Sequence, residues 1–434
     1  RVIQGDTVLP SPTNLLVIVL DGASDDPKSP ETPLSAAETP GLDKLASHAV
    51  CGVHFPIGRG KAPESDTATL ALLGYDPNKY YTGRGPLEAL GAGIEIDEEH
   101  EVVFRANFAT VDPHTKLIID RRVARSLEDW EAEELAEAID GMELGEHGYV
   151  RVKHTVGHRA VVVIGSRRYK LSPNVDNIDP AYRRVGSVSV AVREYNPYLP
   201  KCRPLDDATE SRITCNLVDE FTKRVLEVLS NHPINMERKR KGLLQANAIL
   251  LRDAGSTKPR LPPISSITGL SPVAAIVEMP VEVGIARAAG MKIYPVPPPR
   301  GDMPRELPVR LRAVLDALRD RNSLVYVHLK GPDEPGHDGD CKAKKKSIEL
   351  IDKYFVQPLL EKIDLEETAV LVTSDHATPC NVRAHTGDPV PWMLSWRGFG
   401  ERIVFSESYC YEKGTVIEHG WDLLRHVTTL LKQQ

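Results

Sequence analysis

Asp333-Glu-Pro-Gly-His337 and Asp375-His376, with His385 nine residues beyond, place carboxylates and imidazoles at spacings that suit metal binding. Asp21, at the end of an early apolar run, adds another carboxylate. Asp and His in this proportion, without thiolates, suit borderline ions such as Mn²⁺ or Zn²⁺, and six such ligands are enough for two ions. The competing reading is local: Asp333 and His337 cap a helix beginning near His337, and Asp375 is a turn residue after a strand. Ser65, in Glu64-Ser-Asp-Thr-Ala-Thr-Leu70, precedes good helix formers and reads first as an N-cap. A serine there also sits where backbone amides and the helix dipole favour a phosphate. With a cation on its Oγ, the hydroxyl is deprotonated at neutral pH and becomes a nucleophile needing no histidine base. His48, His54, His100, His114, His147 and His419 fall in no such pattern and read as structural or solvated.

Three apolar runs must position these groups. Leu15 to Leu20 runs into Asp21-Gly22, Leu324 to Leu329 into Lys330-Gly-Pro-Asp333, and Ala369 to Thr373 into Ser374-Asp375-His376. Continuous β-branched runs of this length suit the interior of a parallel sheet covered on both faces. Ligands of such sheets bind outside the carboxyl ends of the strands, so acids far apart in sequence should converge on one sheet edge. Helical spacing over residues 40–49 and 342–363 supplies covering layers. From about Tyr81 to Gly255 the texture changes, with strand-like runs at 101–110, 148–156, 159–165 and 185–192 and a long helix from about Ala208 to Ser230. This reads as an inserted second domain. A Pro/Ser/Thr-rich connection over 256–268 leads back to a helix-like stretch at 274–289. The expected organisation is a doubly wound α/β domain from residues 1–80 and 256–434, interrupted by a smaller α+β domain at 81–255.

Composition narrows the class. At 434 residues, 41% hydrophobic and 26% charged, the chain is globular and has the length of two or three domains. Its net charge of −7, from 54 basic and 61 acidic side chains, argues against a sequence-independent grip on nucleic acid or on an anionic membrane. Six scattered cysteines without a Cys-x-x-Cys pair read as reduced thiols of a cytoplasmic chain. The early apolar run is too short to span a bilayer and lacks the flanks of a signal peptide.

With these residues in hand, the chain resembles the cofactor-independent phosphoglycerate mutases, in the archaeal-type branch of the alkaline phosphatase superfamily. The resemblance covers almost the whole chain. It rests on Thr39-Pro-Gly-Leu-Asp-Lys-Leu-Ala46, Ser65-Asp-Thr-Ala68, Leu73-Gly-Tyr-Asp-Pro77, Tyr81-Thr-Gly-Arg-Gly-Pro86, Phe104-Arg-Ala-Asn-Phe-Ala-Thr110, Asp120-Arg-Arg122, Asn231-His-Pro-Ile-Asn235, Asp333-Glu-Pro-Gly-His337 and His385-Thr-Gly-Asp-Pro-Val390. It implies an alkaline-phosphatase-like sheet domain with one cation on Asp333, His337 and His385, and a second on Asp21, Asp375, His376 and Ser65. Manganese is the ion this family uses most, with magnesium, cobalt or zinc accepted by some members. The implied reaction moves the phosphoryl group of 3-phosphoglycerate to Ser65 and then to the 2-hydroxyl, in glycolysis or gluconeogenesis, without 2,3-bisphosphoglycerate.

Such a substrate needs planar cationic partners, which arginine supplies better than lysine. The candidates are Arg84, Arg121, Arg122 and Arg252, with Asp120 as the acid/base between the glycerate hydroxyls. Retaining the glycerate and excluding water implies a cleft that closes between the two domains. The run Lys342 to Lys346 reads as a solvated helix face. Glu64 departs from the small residue expected before the nucleophile, and Arg252 to Gly255 and Pro297 to Gly301 also depart from the family pattern. Competing functions are another phosphomonoesterase or phosphomutase on the same core, or a catalytically silent metal-binding scaffold.

Overall fold

The computed structural model describes residues 11–186, 188–192 and 194–433. Residues 1–10 of the expected first domain, and Ser187 within the run expected as a strand at 185–192, lie outside them. In chain order the described strands are β1 (Asn14–Leu20), β2 (Ala49–His54), β3 (Glu101–Val111), β4 (Ile118–Asp120), β5 (Glu143–Leu144), β6 (Gly148–His154), β7 (Arg159–Ser166), β8 (Tyr182–Val185), β9 (Val188–Ala191), β10 (Ala248–Gly255), β11 (Val273–Ile276), β12 (Lys292–Ile293), β13 (Leu324–Leu329), β14 (Thr368–Ser374), β15 (Val390–Ser395) and β16 (Thr415–Ile417). The contacts divide the chain into two compact units, one of residues 1–81, 261–278 and 285–434, the other of residues 82–260 and 279–284.

The first unit is built on an eight-stranded sheet of order β12-β11-β13-β1-β14-β15-β2-β16. The three acid-tipped runs are its neighbouring strands β13, β1 and β14, all parallel. Leu20 stands level with Leu329 on one side and Ser374 on the other, so the three chains leave the sheet at the same edge. One face is filled by Leu16, Ile18, Val325, Val327, Val370 and Val372 under Leu311, Val314, Ile348 and Ile351 of the covering helices. Each such side chain, fully buried, contributes about 1.5–3 kcal/mol by leaving water.

Two expected helices are modified. The stretch expected as one helix at 274–289 is strand β11 followed by helix Pro280–Ala288, because the proline starts a new helix and cannot continue an old one. The long helix expected at 342–363 runs as Cys341–Ile351, widens into a π-turn at Asp352–Val356, and resumes at Gln357–Leu360. Pro358, in the resumed segment, has no N–H to continue the regular ladder.

The second unit is an antiparallel sheet of order β10-β3-β7-β6-β5, with β4 also paired to β3. Phe104, Ala106, Phe108, Val162 and Ile164 line one face against Val218, Phe221 and Val225 of the helix Thr209–Ser230. The run expected as one strand at 185–192 is the hairpin β8-β9. Cys202 and Cys215 form a disulfide, which corrects the expectation of six reduced thiols; they stand 13 positions apart in sequence, a spacing that carries no pairing signal. Among the described residues no helix is long and apolar enough to cross a membrane.

Candidate active site

At the carboxyl edge of β13, β1 and β14, three groups of ligand atoms each converge within 4.8 Å: Asp333, His337 and His385; Asp21, Asp333 and His376; and Asp21, His328 and Asp375. Asp333 joins the first two groups and Asp21 the last two, and Asp333 Oδ1 lies 3.5 Å from Nε2 of both His337 and His385. His376 Nε2 lies 3.5 Å from Asp21 Oδ1 and 3.4 Å from Asp375 Oδ2, and its ring stacks on His385 at 3.7 Å between centroids. The Asp375 carboxylate is oriented by the backbone N–H groups of Gly22 and His376, each donating to Oδ1 at 3.0 Å. Gly22 is required where it stands: its φ is +58°, and a Cβ there would lie 2.6 Å from Asp333 Oδ1.

Burial opposes ionisation of Asp21, yet Lys330, with Nζ 3.1 Å from Oδ2, and the nearby imidazoles hold its carboxyl well below the usual range. Asp375 and Asp333 are likewise depressed against burial, Asp375 chiefly by His376 and Asp333 chiefly by His385. Burial also opposes the charge on His376, but Asp375, Asp21 and Asp333 together raise its pKa to about 9. Nε2 of His376 and of His385 is buried and makes no hydrogen bond. Two buried imidazole nitrogens facing carboxylates at 3.4–3.5 Å without bonding them form a donor set suited to cations.

Ser65 is the first residue of the helix Ser65–Leu72; the N-cap is Glu64, whose N–H donates to Thr67 Oγ1. The hydroxyl of Ser65 is therefore not consumed by capping, contrary to the local reading, and makes no hydrogen bond among the described residues. His385 Nδ1 lies 2.8 Å from the carbonyl oxygen of Pro63, which fastens the segment entering Ser65 to the cluster and turns Nε2 toward Asp333. Glu64 is exposed at this turn.

Two groups here escaped the sequence reading. His328 Nε2 lies 3.0 Å from Asp375 Oδ2; an imidazole inside an otherwise apolar strand was the available signal. Lys344, expected on a solvated face, is fully buried. It donates to the carbonyls of Ser24 at 2.9 Å and Thr378 at 2.8 Å, tying the turn after β1 to the turn after β14. Its spacing to Ile348 and Ile351 places it on the helix's buried stripe.

The expected substrate residues fall in the second unit. Arg252 stands directly opposite Arg105 across the β10–β3 pair, and Asn107 opposite Arg159 across β3–β7, all on one sheet face. Like charges directly opposite are destabilising. Arg84 donates to Glu88 at 2.9 Å, and Arg105 approaches the same carboxylate at 3.4 Å. Arg252, only 4% exposed, packs over the Tyr182 ring at 4.1 Å, and its Nε has no hydrogen-bond partner. Nε of Arg105, which meets Glu88 only as an ion pair, and Oδ1 of Asn107 are also buried without a hydrogen bond. Burial and the neighbouring Arg84 and Arg252 make the charge on Arg105 unfavourable, and burial with Arg159, Arg122, Arg125 and Arg105 takes His158 down to about 3. Glu88 and Asp253, 3.4 and 3.9 Å from Arg105, are the carboxylates that partly balance this cluster. Arg105 and Arg159 escaped the sequence reading because single arginines in strands carry no spacing signal.

Arg121 is already held by Asp179 in a two-pronged ion pair of 2.8 and 2.6 Å. Asp120 Oδ1 accepts from the N–H groups of Arg122 and Ala124, holding a turn in which Val123, Ala124 and Arg125 all have positive φ. That turn borders a cavity of about 560 Å³ lined by Asp120, Arg121, Arg122, Arg125 and Tyr195.

Residues 46–235 match the family model for 2,3-bisphosphoglycerate-independent phosphoglycerate mutase. A protein of that name from Aeropyrum pernix is 47% identical over 96% of this chain and 99% of its own length. One from Archaeoglobus fulgidus is 40% identical over 96% and 98%. Among solved structures, a protein of Pyrococcus horikoshii superposes with a TM-score of 0.74 at 28% identity, covering 98% of this chain and 99% of its own. The cofactor-independent phosphoglycerate mutase of Thermoplasma acidophilum gives 0.61 at 30% identity, covering 96% and 100%.

Proposed function

The chain belongs to the 2,3-bisphosphoglycerate-independent phosphoglycerate mutases, and on that premise we propose that Ser65 carries the phosphoryl group between the two oxygens of glycerate beside a pair of divalent cations. Phosphoglycerate mutase activity makes it an isomerase acting on a small phosphorylated acid. The observation that carries the proposal is the pair of buried imidazole nitrogens, on His376 and His385, that face carboxylates without bonding them.

Asp333, His337 and His385 would hold one cation, and Asp21, Asp375 and His376, with Ser65, the other. Oxygen and imidazole donors without a thiolate fit Mn²⁺ first, and Mg²⁺, Co²⁺ or Zn²⁺ as substitutes. When bound, the cations stabilise charge on the phosphoryl oxygens and lower the pKa of the Ser65 hydroxyl. Ser65 attacks phosphorus from the first turn of its helix, where backbone N–H groups point toward an incoming anion. His328 and the Gly22 N–H hold the Asp375 carboxylate in one orientation, and the carbonyl of Pro63 holds the His385 ring.

In the second unit, Arg252, Arg84 and Arg122, joined by Arg105, are assigned to the anionic groups of the substrate. Arg121 acts indirectly, by holding Asp179 near Arg252. Asp120 keeps Oδ1 in its turn, and Oδ2 is the atom we assign to the proton exchanged between glycerate hydroxyls. Ser65 as internal acceptor removes any need for 2,3-bisphosphoglycerate. We place the enzyme in the cytoplasm, in glycolysis and gluconeogenesis.

An enolase-coupled assay on 3-phosphoglycerate tests the reading. Turnover should require added Mn²⁺ and stop with chelator. Phosphate release without isomerisation would favour a phosphomonoesterase instead.

A further inference from the structure

Thr378 stands in the loop after β14, two residues beyond His376, and is fully buried. Every polar atom it owns is engaged. Its N–H donates to the Ser24 carbonyl at 3.1 Å, and its own carbonyl accepts from Lys344 Nζ at 2.8 Å. Lys344 Nζ also donates to that Ser24 carbonyl, at 2.9 Å, so one buried ammonium ties the backbone of Thr378 to the turn after β1. On its other side Thr378 meets the helix Asp333–Asp338 at Gly336, where an added Cβ would lie 2.7 Å from the Thr378 carbonyl oxygen and 3.0 Å from its Cγ2. Backbone and methyl group are packed in place, which fixes where the hydroxyl points.

Oγ1 touches two groups. It donates to Asp333 Oδ1 at 2.8 Å and lies 3.0 Å from His376 Nδ1. A hydroxyl has one proton and a carboxylate only accepts, so that proton is given to Asp333. Toward His376 the threonine oxygen has only lone pairs left, and Nδ1 must be the donor. A proton held on Nδ1 leaves the lone pair of the neutral ring on Nε2. Nε2 is the buried atom without a hydrogen bond, 3.5 Å from Asp21 Oδ1 and 3.4 Å from Asp375 Oδ2. In the ligand set proposed above, Asp333 and His376 belong to different cations, and this hydroxyl bonds to both residues.

We propose that Thr378 is a positioning residue that couples the two cation sites: through one hydroxyl it fixes the Asp333 carboxylate of the first and the Nδ1–H tautomer of His376 in the second. Lys344 and Ser24 hold it in register with both. Without the hydroxyl, Asp333 Oδ1 loses a donor, and the neutral His376 ring, with Asp21 and Asp375 beside Nε2, would place its proton on the atom a cation needs. The methyl group packs beside Gly336 and takes no part in the link. The effect on the cations rests on the ligand set proposed above; the hydrogen-bond link does not.

Two variants separate the hydroxyl from the shape. Thr378→Val keeps the branched side chain without the hydroxyl, and Thr378→Ser keeps the hydroxyl without the methyl. Competition of Mn²⁺ against a chromophoric chelator, on the full chain, should show both binding steps weakened about 10- to 100-fold in Thr378→Val and restored close to native in Thr378→Ser. Native affinity in Thr378→Val beside weakened affinity in Thr378→Ser would reduce the residue to packing, and weakening of one step alone would overturn the coupling. Proton–nitrogen correlation of the metal-free, histidine-labelled chain reads the link itself. The native chain should show a downfield, hydrogen-bonded Nδ1–H of His376, absent in His376→Gln, retained in Thr378→Ser and shifted upfield in Thr378→Val. Its absence from the native chain would overturn the link, whether or not the valine variant folds. Failure of the native chain to bind Mn²⁺ would overturn the ligand set and the effect on the cations with it, while the Nδ1–H signal still decides the link.

Discussion

His328 Nε2 lies 3.0 Å from Asp375 Oδ2, with both side chains at or below 1% exposure. Neither can turn without leaving a buried polar atom unpaired, so the imidazole fixes the carboxylate before any cation arrives. His328→Ala should lower Mn²⁺ affinity by about 10- to 100-fold. His328→Gln, which keeps a donor, should recover part of it. Competition with a chromophoric chelator measures both; unchanged affinity in His328→Ala would show that Asp375 needs no such support.

Proton release should accompany metal uptake. Burial works against a charged His376, but Asp375, Asp21 and Asp333 raise its pKa to about 9, so at pH 7.5 the cation-free imidazole carries a proton that a metal must displace. Calorimetric titration of Mn²⁺ in buffers of different ionisation enthalpy should report close to one proton released at pH 7.5. The release should decline as pH passes above 9.

The arginine cluster gives a prediction about the second unit. Arg252 opposes Arg105 across two strands, and on the proposed assignment a bound substrate anion would relieve that repulsion. 3-Phosphoglycerate should raise the unfolding temperature of the metal-free protein. Arg252→Lys, which loses the planar fork and the packing over Tyr182, should abolish that shift and lower kcat/KM about 100-fold. A retained shift would place the substrate anion elsewhere.

The convergence of Asp21, Asp333 and Asp375 was legible in the sequence because they follow strand runs whose apolar character is unmistakable, and parallel strands deliver their carboxyl ends to one edge. What was not legible depended on tertiary placement. Lys344 sits in a run of lysines, and only its step with Ile348 and Ile351 separates a buried ammonium from its solvated neighbours. Arg105 acquires meaning only from the β10–β3 register that sets Arg252 opposite it. Cys202 and Cys215 meet because a segment returns onto a helix, which spacing does not encode. Ser65 reads as an N-cap from the helix formers that follow it, whereas the helix begins one residue earlier than that reading allows, with Glu64 as its cap.

Glu407 supplies a pH-dependent term. Burial raises its carboxyl to about 7, against the opposing effects of Thr32, the Asp25 N–H and Lys344. Its folded pKa lies above the unfolded value of 4.5, so its contribution to stability is complete below about pH 4.5 and is lost as pH rises through 7. The loss amounts to about 3 kcal/mol. Glu407→Gln does not titrate, so between pH 4.5 and 8 its unfolding free energy should gain about that amount relative to the native chain. Denaturant unfolding at both pH values measures it; a constant difference would mean Glu407 is ionised throughout.

The central claim is that Ser65 carries the phosphoryl group. The most direct measurement is rapid acid quench of the Mn²⁺-loaded enzyme turning over 3-phosphoglycerate, followed by mass spectrometry of the peptide containing Ser65. The account predicts one added phosphoryl group on Ser65, formed at least as fast as turnover, with neither phosphorylation nor isomerisation in Ser65→Ala. Isomerisation that persists in Ser65→Ala, or a phosphoryl group found on another residue at that rate, would contradict it.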